Sequence, residues 1–418
     1  MSGAIILDDL TEPRHTPQAR EILAAVAELP LEISSEAVIS SARSQCDAPL
    51  YEEPGFLRRM GFYIDAVNGV KNLSPMGRMT TLNFIVTALV QRSRLEALYA
   101  AHPEIDQVEI KRPLIIAGLP RSGTTNMLNL IAADTRLRSL RYWESLEPIP
   151  SRAARLGEVA DQRRQNCAAQ LENVNAIMPL FSSMHDLQVE SIHEEVELQW
   201  LDFSSMLCAT VVHVPGWFDW YLVNRRLEHY QFLKRVLKAL QWLRGPQQWV
   251  LKSPQHLAFL PELTETFPDA TYVVTHRDPV SIFTSWISLT AYSARMRMEP
   301  VDLEDIAAHA RSIQDSLLQG LVRDVAVLPE ERTRHVQFQD FMANDLAILA
   351  EIYELAGIGL DAASRAAIEH YIATHPRGRS GKVRYDLEGQ FGIRREDLYR
   401  QFSYYTNAFP VQREAENS

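Results

Sequence analysis

The most constraining feature of the sequence is a short apolar run that leads directly into a glycine-containing turn. Residues 114–119 form a continuous apolar run, as is typical of a strand covered on both faces of a parallel sheet. The turn Gly118-Leu-Pro-Arg-Ser-Gly123 follows, and the pattern then predicts a helix from Thr125 to Ala133. Two glycines five residues apart let the backbone fold around an anion, and the helix directs unpaired N–H groups at that anion. The sequence therefore predicts a phosphate-binding turn.

Three further apolar runs have the same strand character, at residues 249–252, 271–276 and 335–338. Helical patterns lie between them, notably at Glu228–Arg244 and Leu303–Val327. Strands that alternate with helices favour a parallel sheet covered on both faces. We therefore predict an α/β fold, in which a central parallel sheet carries the P-loop-like turn and is flanked by helices.

The chain of 418 residues is longer than a typical domain of about 100–200 residues. Apolar residues recur at three- and four-residue spacing between residues 17 and 102, which predicts helices. We therefore divide the chain into an N-terminal helical region at residues 1–110 and an α/β domain at residues 111–410. The helical region is interpreted as a lid, a dimer surface or a scaffold. The sequence does not choose between these roles, and a homo-oligomer stays open.

Composition and charge narrow the classes of function. Asp and Glu number 53 against 42 Lys and Arg, a net charge of −11, so we expect no broad binding to nucleic acid, which depends on neutralising phosphates. Cys46, Cys167 and Cys208 form no CxxC pair, so neither a disulfide framework nor a structural zinc site is expected. No apolar run approaches the roughly 20 residues of a membrane span. The N-terminus lacks the cationic start of a signal peptide, so we expect a cytoplasmic protein without an integral membrane segment.

The turn departs from the nucleotide triphosphate loop at one position. There a Lys follows the second glycine and reaches the β- and γ-phosphates, whereas Thr124 stands here and Arg121 supplies the cation. A triphosphate–magnesium complex would find no lysine at this position of the turn. A nucleotide with a shorter anionic chain and no metal does not need that lysine. The candidate anion-binding residues of the turn are Arg121, Ser122, Gly123, Thr124, Thr125 and Asn126.

A second anion site is predicted where the strand at residues 271–276 ends. Ligands of open parallel sheets bind at the carboxyl ends of strands, and Arg277 stands at such an end. Ser285 follows eight residues later, two turns into a helix that begins near Pro279. An arginine at a strand end and a helix hydroxyl together make an anion site.

The two anion motifs resemble those of sulfotransferases that use 3′-phosphoadenosine-5′-phosphosulfate (PAPS). Residues 120–125 resemble the 5′-phosphosulfate loop of that family, and Arg277 with Ser285 resembles its 3′-phosphate site. Residues 249–257, which include Lys252, are similar to its lysine-containing strand end.

The resemblance continues towards the C-terminus and covers about residues 112–390. Residues 376–382 resemble the C-terminal loop that closes over the donor. Tyr385–Glu388 and Phe391-Gly392 follow that loop, which makes the chain most similar to a bacterial branch of the family.

The resemblance implies an enzyme that transfers a sulfuryl group from PAPS to a hydroxyl or amine by in-line displacement, without a metal. It implies that Arg121 and the turn hold the 5′-phosphosulfate, and that Lys252 stabilises the leaving oxygen. It implies a 3′-phosphate site made of Arg277, Ser285, Arg377 and Gly378.

The residue that removes the acceptor proton is left open among three places. In parts of the superfamily the base is a Glu soon after the first loop helix, and Glu144 matches that pattern. In other parts the base is a His at a strand end, and His256 is the candidate for that role. His193 together with Glu194 is the third place. A base needs a suitable pKa and must reach the acceptor proton, and the sequence shows neither.

The positions of the tryptophans indicate the chemical class of the acceptor. Five of the seven lie between residues 200 and 249, and aromatic side chains wall small-molecule pockets as well as packing in cores. We therefore expect a small hydrophobic alcohol or phenol as the acceptor. Two other classes of function stay open. One is a P-loop nucleotide kinase, against which Thr124 argues, and the other is a nucleotide-binding protein without turnover.

Overall fold

The computed structural model describes residues 5–211, 213–214, 216–376, 381 and 383–415. The strands are β1 (Ile5–Ile6), β2 (Leu114–Ala117), β3 (Leu137–Arg138), β4 (Leu140–Arg141), β5 (Ile192–His193), β6 (Gln248–Lys252), β7 (Thr271–His276), β8 (Thr333–Gln337) and β9 (Val383–Arg384). The first helices are α1 (Pro17–Ala27), α2 (Ser35–Gln45), α3 (Pro54–Asn68), α4 (Pro75–Ala101), α5 (Thr124–Ala132), α6 (Tyr142–Leu146), α7 (Arg152–Arg155), α8 (Arg163–Ile177), α9 (Phe181–Met184), α10 (Val196–Trp200) and α11 (Leu207–Thr210). The later helices are α12 (Trp217–Val223), α13 (Leu227–Arg244), α14 (Leu260–Thr266), α15 (Pro279–Ala294), α16 (Leu303–Asp324), α17 (Phe338–Ala343), α18 (Asp345–Leu355), α19 (Ala362–Thr374), α20 (Leu387–Phe391), α21 (Arg395–Gln401) and α22 (Ser403–Ala408). Short 3₁₀ helices lie at Pro103–Gln107, Pro254–Ala258, Val325–Val327 and Glu330–Arg332. None of the described helices is both long and apolar enough to cross a membrane.

Five strands form a central sheet in the order β3-β6-β2-β7-β8, and all of its neighbours are parallel. β2 lies in the middle, where Ile116 is in register with Lys252 of β6 and Val273 of β7. Two short pairs accompany this sheet, β1 with β9 in parallel and β4 with β5 antiparallel. The predicted α/β fold with a central parallel sheet is confirmed.

The inner strands β6, β2 and β7 are buried because helices cover both faces of the sheet. In β2, Leu114 and Ile116 pack with residues of α5, α18 and α19. Ile115 and Ala117 belong to the larger core, to which α4, α13, α15 and α16 contribute. Successive side chains of a strand point to opposite faces, so a strand between two helical layers must be apolar at every position. This explains the unbroken apolar run in the sequence.

The observed strands begin and end close to the residues that the sequence predicts. β7 has the predicted bounds, whereas β2 stops at Ala117 because Gly118 already belongs to the turn. β8 begins at Thr333 rather than His335, and Phe338 starts α17 instead of ending the strand. The edge strand β3 has only two residues, too few to show any periodicity in the sequence.

Helices α1–α4 pack into the same hydrophobic core as the strands. A buried ion-pair cluster links two of them to the rest of the chain, because Asp202 pairs with Arg59 of α3, with Arg92 of α4 and with His229 of α13. Buried charges are stable only when they are paired. The cluster therefore holds α3 and α4 in one orientation against α13.

The first testable prediction concerns the packing of α16 on the 3₁₀ helix that follows β6, Pro254–Ala258. A Cβ atom on Gly320 would lie 2.7 Å from the backbone of Ala258. We expect Gly320→Ala to lower the free energy of unfolding by about 1–3 kcal/mol, as overpacking does, in denaturant unfolding. The control is Gly61→Ala in α3, where the nearest atom would be Ser35 Oγ at 3.9 Å. It should gain up to about 1 kcal/mol because alanine favours a helix, and equal effects would contradict the close contact.

Candidate active site

The predicted phosphate-binding turn between β2 and α5 leaves no room for a side chain at Gly118. A Cβ atom there would lie 1.9 Å from Thr275 Oγ1 and 2.9 Å from Thr124 Cγ2. At the other end of the turn, Gly123 has a φ of +87°, and Arg121 between them has a φ of +69°. Residues with a side chain seldom adopt such a φ, and where they do the strain is often found at functional sites. The backbone of the turn is therefore held in one specific shape.

Ser122 fastens the turn to β7. Its hydroxyl donates to the carbonyl oxygen of Leu119 at 2.6 Å and lies 2.7 Å from Thr275 Oγ1. The residue is only 2% exposed and its side chain does not line the cavity described next. Among the predicted anion-binding residues, Ser122 thus contributes through the shape of the turn.

The turn forms one wall of a cavity of about 510 Å³, here called the loop cavity. Three cationic side chains from three neighbouring strand ends line it, namely Arg121 after β2, Lys252 at the end of β6 and Arg277 after β7. This is the edge at which open parallel sheets bind ligands. Other lining residues are Gly123, Thr124, Thr125, Asn126, His185, Glu194 and Phe338.

The two predicted anion motifs are in direct contact. Arg121 Nε donates to Ser285 Oγ at 2.9 Å, and Arg277 Nη1 donates to the carbonyl oxygen of Arg121 at 2.6 Å. The guanidinium of Arg277 also stacks on Phe338, 3.9 Å from the ring centroid, an arrangement that fixes its plane. The structure therefore joins Arg121, Arg277 and Ser285 into one cationic unit at the cavity wall.

A carboxylate from the C-terminal segment already binds Arg277. Arg277 Nε and Nη2 donate to the two carboxylate oxygens of Glu414 at 2.6 and 2.7 Å. The backbone N–H of Glu414 donates to Asp278 Oδ2 at 2.8 Å, which ties this segment to the end of β7. Arginine binds carboxylate and phosphate in the same bidentate geometry, so an anionic ligand of Arg277 must displace or share this carboxylate.

Two neighbouring carboxylates hold the end of β6. Glu194 accepts a hydrogen bond from Lys252 Nζ at 2.7 Å, and Glu195 accepts one from the backbone N–H of Lys252 at 2.8 Å. The second oxygen of Glu195 lies 2.6 Å from His256 Nε2, and both of these side chains are at most 1% exposed. His256 therefore supports the strand end, whereas Glu194 reaches the loop cavity.

Two further cavities continue from the loop cavity. The junction cavity, of about 280 Å³, shares His185 and Glu194 with the loop cavity. The apolar cavity, of about 370 Å³, shares Glu197 and Arg297 with the junction cavity. Its apolar wall includes Met76, Met79, Phe84, Leu171, Val174 and Trp200. Shared lining residues thus connect a cationic compartment to an apolar one.

Two histidines of the junction cavity, His185 and His193, carry opposite pKa shifts. Burial lowers the pKa of His185 to about 4, and the charges of Lys252 and Arg121 act in the same direction. Burial would also lower the pKa of His193, but Glu197, 2.7 Å from its Nε2, raises that pKa above the ordinary value. His185 is therefore neutral at pH 7, and His193 has the more basic imidazole.

Glu144 lines none of these three cavities. Its side chain is 1% exposed, and Oε1 lies 3.0 Å from Arg138 Nη2 and 2.7 Å from Arg244 Nε. The two guanidinium groups stack on Trp249 and Trp143, respectively. Glu144 is thus the shared anion of a packed ion-pair cluster, and the structure does not bring it together with Lys252 and Glu194.

The remaining predicted residues are the C-terminal pair of the donor site and the tryptophans. Arg377 and Gly378 lie outside the described residues. Of the tryptophans in the 200–249 stretch, Trp200 lines the apolar cavity, whereas Trp217 and Trp249 are buried in the core. Within the described ranges, no group of three or more His, Cys, Asp or Glu side chains is arranged to hold a metal ion.

Two residues of the loop cavity, His185 and Phe338, lack a strong sequence signal. His185 belongs to none of the sequence motifs, yet it lines both the loop and junction cavities. Phe338 follows β8 directly. Its position at a carboxyl strand end is the one signal that indicates a place in the site.

Comparison with known proteins identifies the family. A sequence profile for the sulfotransferase family matches residues 113–362, more than half of the chain. The chain belongs to the sulfotransferase family. The match spans the phosphate-binding turn, the end of β6 and the end of β7, so it contains every strand of the central sheet. Family membership makes the protein a transferase. A comparison with curated protein sequences gives no significant match.

Two solved sulfotransferases are similar over nearly the whole chain. Sulfotransferase STF9 from Mycobacterium avium is 25% identical with a TM-score of 0.80, and the alignment covers 94% of this chain and 100% of that one. Sulfotransferase STF1 from Mycobacterium tuberculosis H37Rv is 25% identical with a TM-score of 0.75, covering 89% and 99%. The similarity therefore extends beyond the family match into the N-terminal helices.

The second prediction separates a structural role of Glu144 from a catalytic one. Glu144→Gln removes the charge shared by Arg138 and Arg244, so we expect the free energy of unfolding to fall by about 1.5–3 kcal/mol, the range for hydrogen bonds to charged groups. Thermal or denaturant unfolding measures this. Glu172→Gln, at an exposed position of α8, is the matched control and should stay within about 0.5 kcal/mol of the native protein. Unchanged stability of Glu144→Gln would contradict the assignment.

Proposed function

We propose that the protein transfers a sulfuryl group from PAPS to a hydroxyl, or an amine, of a small acceptor with a large apolar part. The observation that carries this proposal is the convergence of Arg121, Lys252 and Arg277 on one cavity beside the phosphate-binding turn. Three cations at separate strand ends suit a ligand with two separate anionic groups. Membership of the sulfotransferase family points to the same donor.

The residues of the loop cavity suit PAPS. Gly123 has a positive φ, and a Cβ atom there would lie only 3.1 Å from the Phe338 ring, so the turn packs against Phe338 and has no room for a side chain at this position. Arg121 and the first-turn N–H groups of α5 would hold the 5′-phosphosulfate. Arg277 and Ser285 would hold the 3′-phosphate, with Arg377 and Gly378 as proposed additional contacts. PAPS supplies the activated sulfuryl group, and the protein supplies position and charge.

We propose Glu194 as the base that takes the acceptor proton. It lines both the loop cavity and the junction cavity, and it lies 2.7 Å from Lys252 Nζ. In the transfer, a bond forms between the acceptor oxygen and sulfur while the bond between sulfur and the phosphate oxygen breaks. The acceptor proton goes to Glu194, and Lys252 stabilises the negative charge on the leaving adenosine 3′,5′-bisphosphate.

The acceptor would enter through the junction cavity and place its apolar part in the apolar cavity. Met76, Met79 and Phe84 of α4 line that cavity. The N-terminal helical region would then serve as a wall for the acceptor, in addition to its packing role. This gives a function to the part of the chain that precedes the phosphate-binding turn.

A nucleotide kinase is the second candidate that shares a turn of this kind. It would need a lysine where Thr124 stands, to reach the β- and γ-phosphates. A nucleotide-binding protein without turnover is the third candidate, and only a rate measurement separates it from an enzyme.

The third prediction tests the donor. We expect titration calorimetry to show tight binding of adenosine 3′,5′-bisphosphate, and weaker binding of adenosine 5′-monophosphate and of ATP–magnesium. Arg277→Ala should weaken the bisphosphate by about 10- to 100-fold, the range for a lost charge-assisted hydrogen bond, and should barely affect the monophosphate. Preference for ATP–magnesium, or an equal loss for both adenosine nucleotides, would refute the proposal.

A matched variant at Glu414 should change the affinity for the bisphosphate in the opposite direction. Glu414→Gln removes the negative charge that binds Arg277 but keeps the size of the side chain. It should bind the bisphosphate more tightly than the native protein, whereas its affinity for the monophosphate should not change. A loss of bisphosphate affinity in this variant would mean that Glu414 supports the donor site rather than competing for it.

The fourth prediction tests the base. Glu194→Gln should reduce the single-turnover rate about 100-fold or more, as loss of a general base does, while the affinity for the bisphosphate stays within about threefold. The rate is measured with a phenol or long-chain alcohol that the native protein sulfates. Glu144→Gln carries the same chemical change outside the cavities, so it should keep the rate at temperatures where it is folded. Full activity of Glu194→Gln would move the base to His193 or His185.

A further inference from the structure

Arg297 is a cation at the boundary of two cavities, and part of its guanidinium has no partner among the described residues. It follows α15 and lines both the junction cavity and the apolar cavity. Its Nε is buried without a hydrogen-bond partner. Among the described residues, no side chain forms an ion pair with its guanidinium.

The other charged groups around these cavities have partners. Glu194 is paired with Lys252, and Glu197 with His193. The second arginine of the apolar cavity, Arg163, is paired with Asp161 and donates to two backbone carbonyl oxygens. Glu197 lines the same two cavities as Arg297. Its Oε1 pairs with His193 and its Oε2 is buried without a hydrogen-bond partner, yet it forms no ion pair with Arg297 in the described part of the chain.

Arg297 remains charged in this setting. Burial lowers its pKa to about 10, partly opposed by Tyr142 and Tyr63, and this is still far above neutral pH. A charged group in an apolar environment is costly unless an opposite charge or hydrogen-bond acceptor meets it. The guanidinium presents a planar set of donors that suits carboxylate, sulfate and phosphate groups.

We propose that Arg297 binds an anionic group of the acceptor, so that the acceptor is an anionic amphiphile rather than a neutral alcohol or phenol. This inference rests on the proposed function, because it assigns the acceptor of that same site. The hydrocarbon part lies against Met76, Met79 and Leu171, the anionic group meets Arg297, and the hydroxyl points through the junction cavity towards Glu194. Arg297 then selects the acceptor and takes no part in the sulfuryl transfer.

The fifth prediction tests this selection by binding, without turnover. The full chain is first saturated with adenosine 3′,5′-bisphosphate, so that an anionic probe cannot bind in the loop cavity. Dodecanoate, dodecyl sulfate and dodecyl phosphate are then titrated below their micelle concentrations, with dodecanol and methyl dodecanoate as neutral probes of equal chain length. We expect the anionic probes to bind about tenfold more tightly or better, the value of one charge-assisted contact. The ranking of the three anions identifies the group that Arg297 prefers.

Two variants assign the preference to Arg297. Arg297→Met keeps most of the length of the side chain and removes the charge, so it should bind anionic and neutral probes equally, with the neutral affinities unchanged. Arg297→Lys should retain a preference for the anionic probes. Bisphosphate affinity should be native in both variants, since Arg297 does not line the loop cavity.

The outcomes separate this inference from the proposed function. Equal affinity of the native protein for anionic and neutral probes would overturn the inference, and this comparison needs no variant to fold. A preference that persists in Arg297→Met would overturn it as well. Failure of the bisphosphate to bind would instead refute the PAPS assignment. The loop cavity would then be open to the anionic probes, so the difference between the native protein and Arg297→Met would be the measurement that reports on Arg297.

Discussion

The close approach of β2 and β7 at their carboxyl ends is the constraint on which the site depends. Gly118 leaves space for the Thr275 side chain, and the hydroxyls of Ser122 and Thr275 lie 2.7 Å apart across that contact. With the turn fixed to β7, Arg121 is held at a positive φ and its carbonyl oxygen points to Arg277. Two motifs more than 150 residues apart in the chain thereby become one cationic wall of the loop cavity.

A second contact brings the proposed catalytic groups to that wall. The segment before α10 pairs with the strand that leads into α6, since β5 and β4 are antiparallel neighbours. Glu194 and Glu195 directly follow β5, and both bind Lys252, one through the side chain and one through the backbone. The segment therefore cannot shift without breaking two charged hydrogen bonds, each stronger than a neutral one. A carboxylate and a lysine are thus positioned together at the boundary between the cationic and apolar cavities.

The sequence predicts the sheet and the turn well because their signals are local. The strand β2 is an uninterrupted apolar run, β6 and β7 each have an apolar centre, and the two glycines and Arg121 lie within six residues. The surroundings of Glu144 are not local, because Arg244 meets it only once α13 has packed. The side-chain direction of Ser122 depends equally on Thr275 of another strand. His185 has no motif at all, and its place between two cavities follows from tertiary packing alone.

The carboxylates at the site help to explain how a chain with a net negative charge would bind a highly anionic donor. With a net charge of −11, the protein as a whole does not attract such a ligand, so attraction must come from a few cations in the loop cavity. Isolated cations in a partly buried cavity would repel one another and lose hydration. Glu414 on Arg277 and Glu194 on Lys252 remove that cost. On this view donor binding exchanges a carboxylate for a phosphate at Arg277, and the phosphate displaces the carboxylate because it carries more negative charge. The returning carboxylate would take the place of the phosphate when the bisphosphate leaves after transfer.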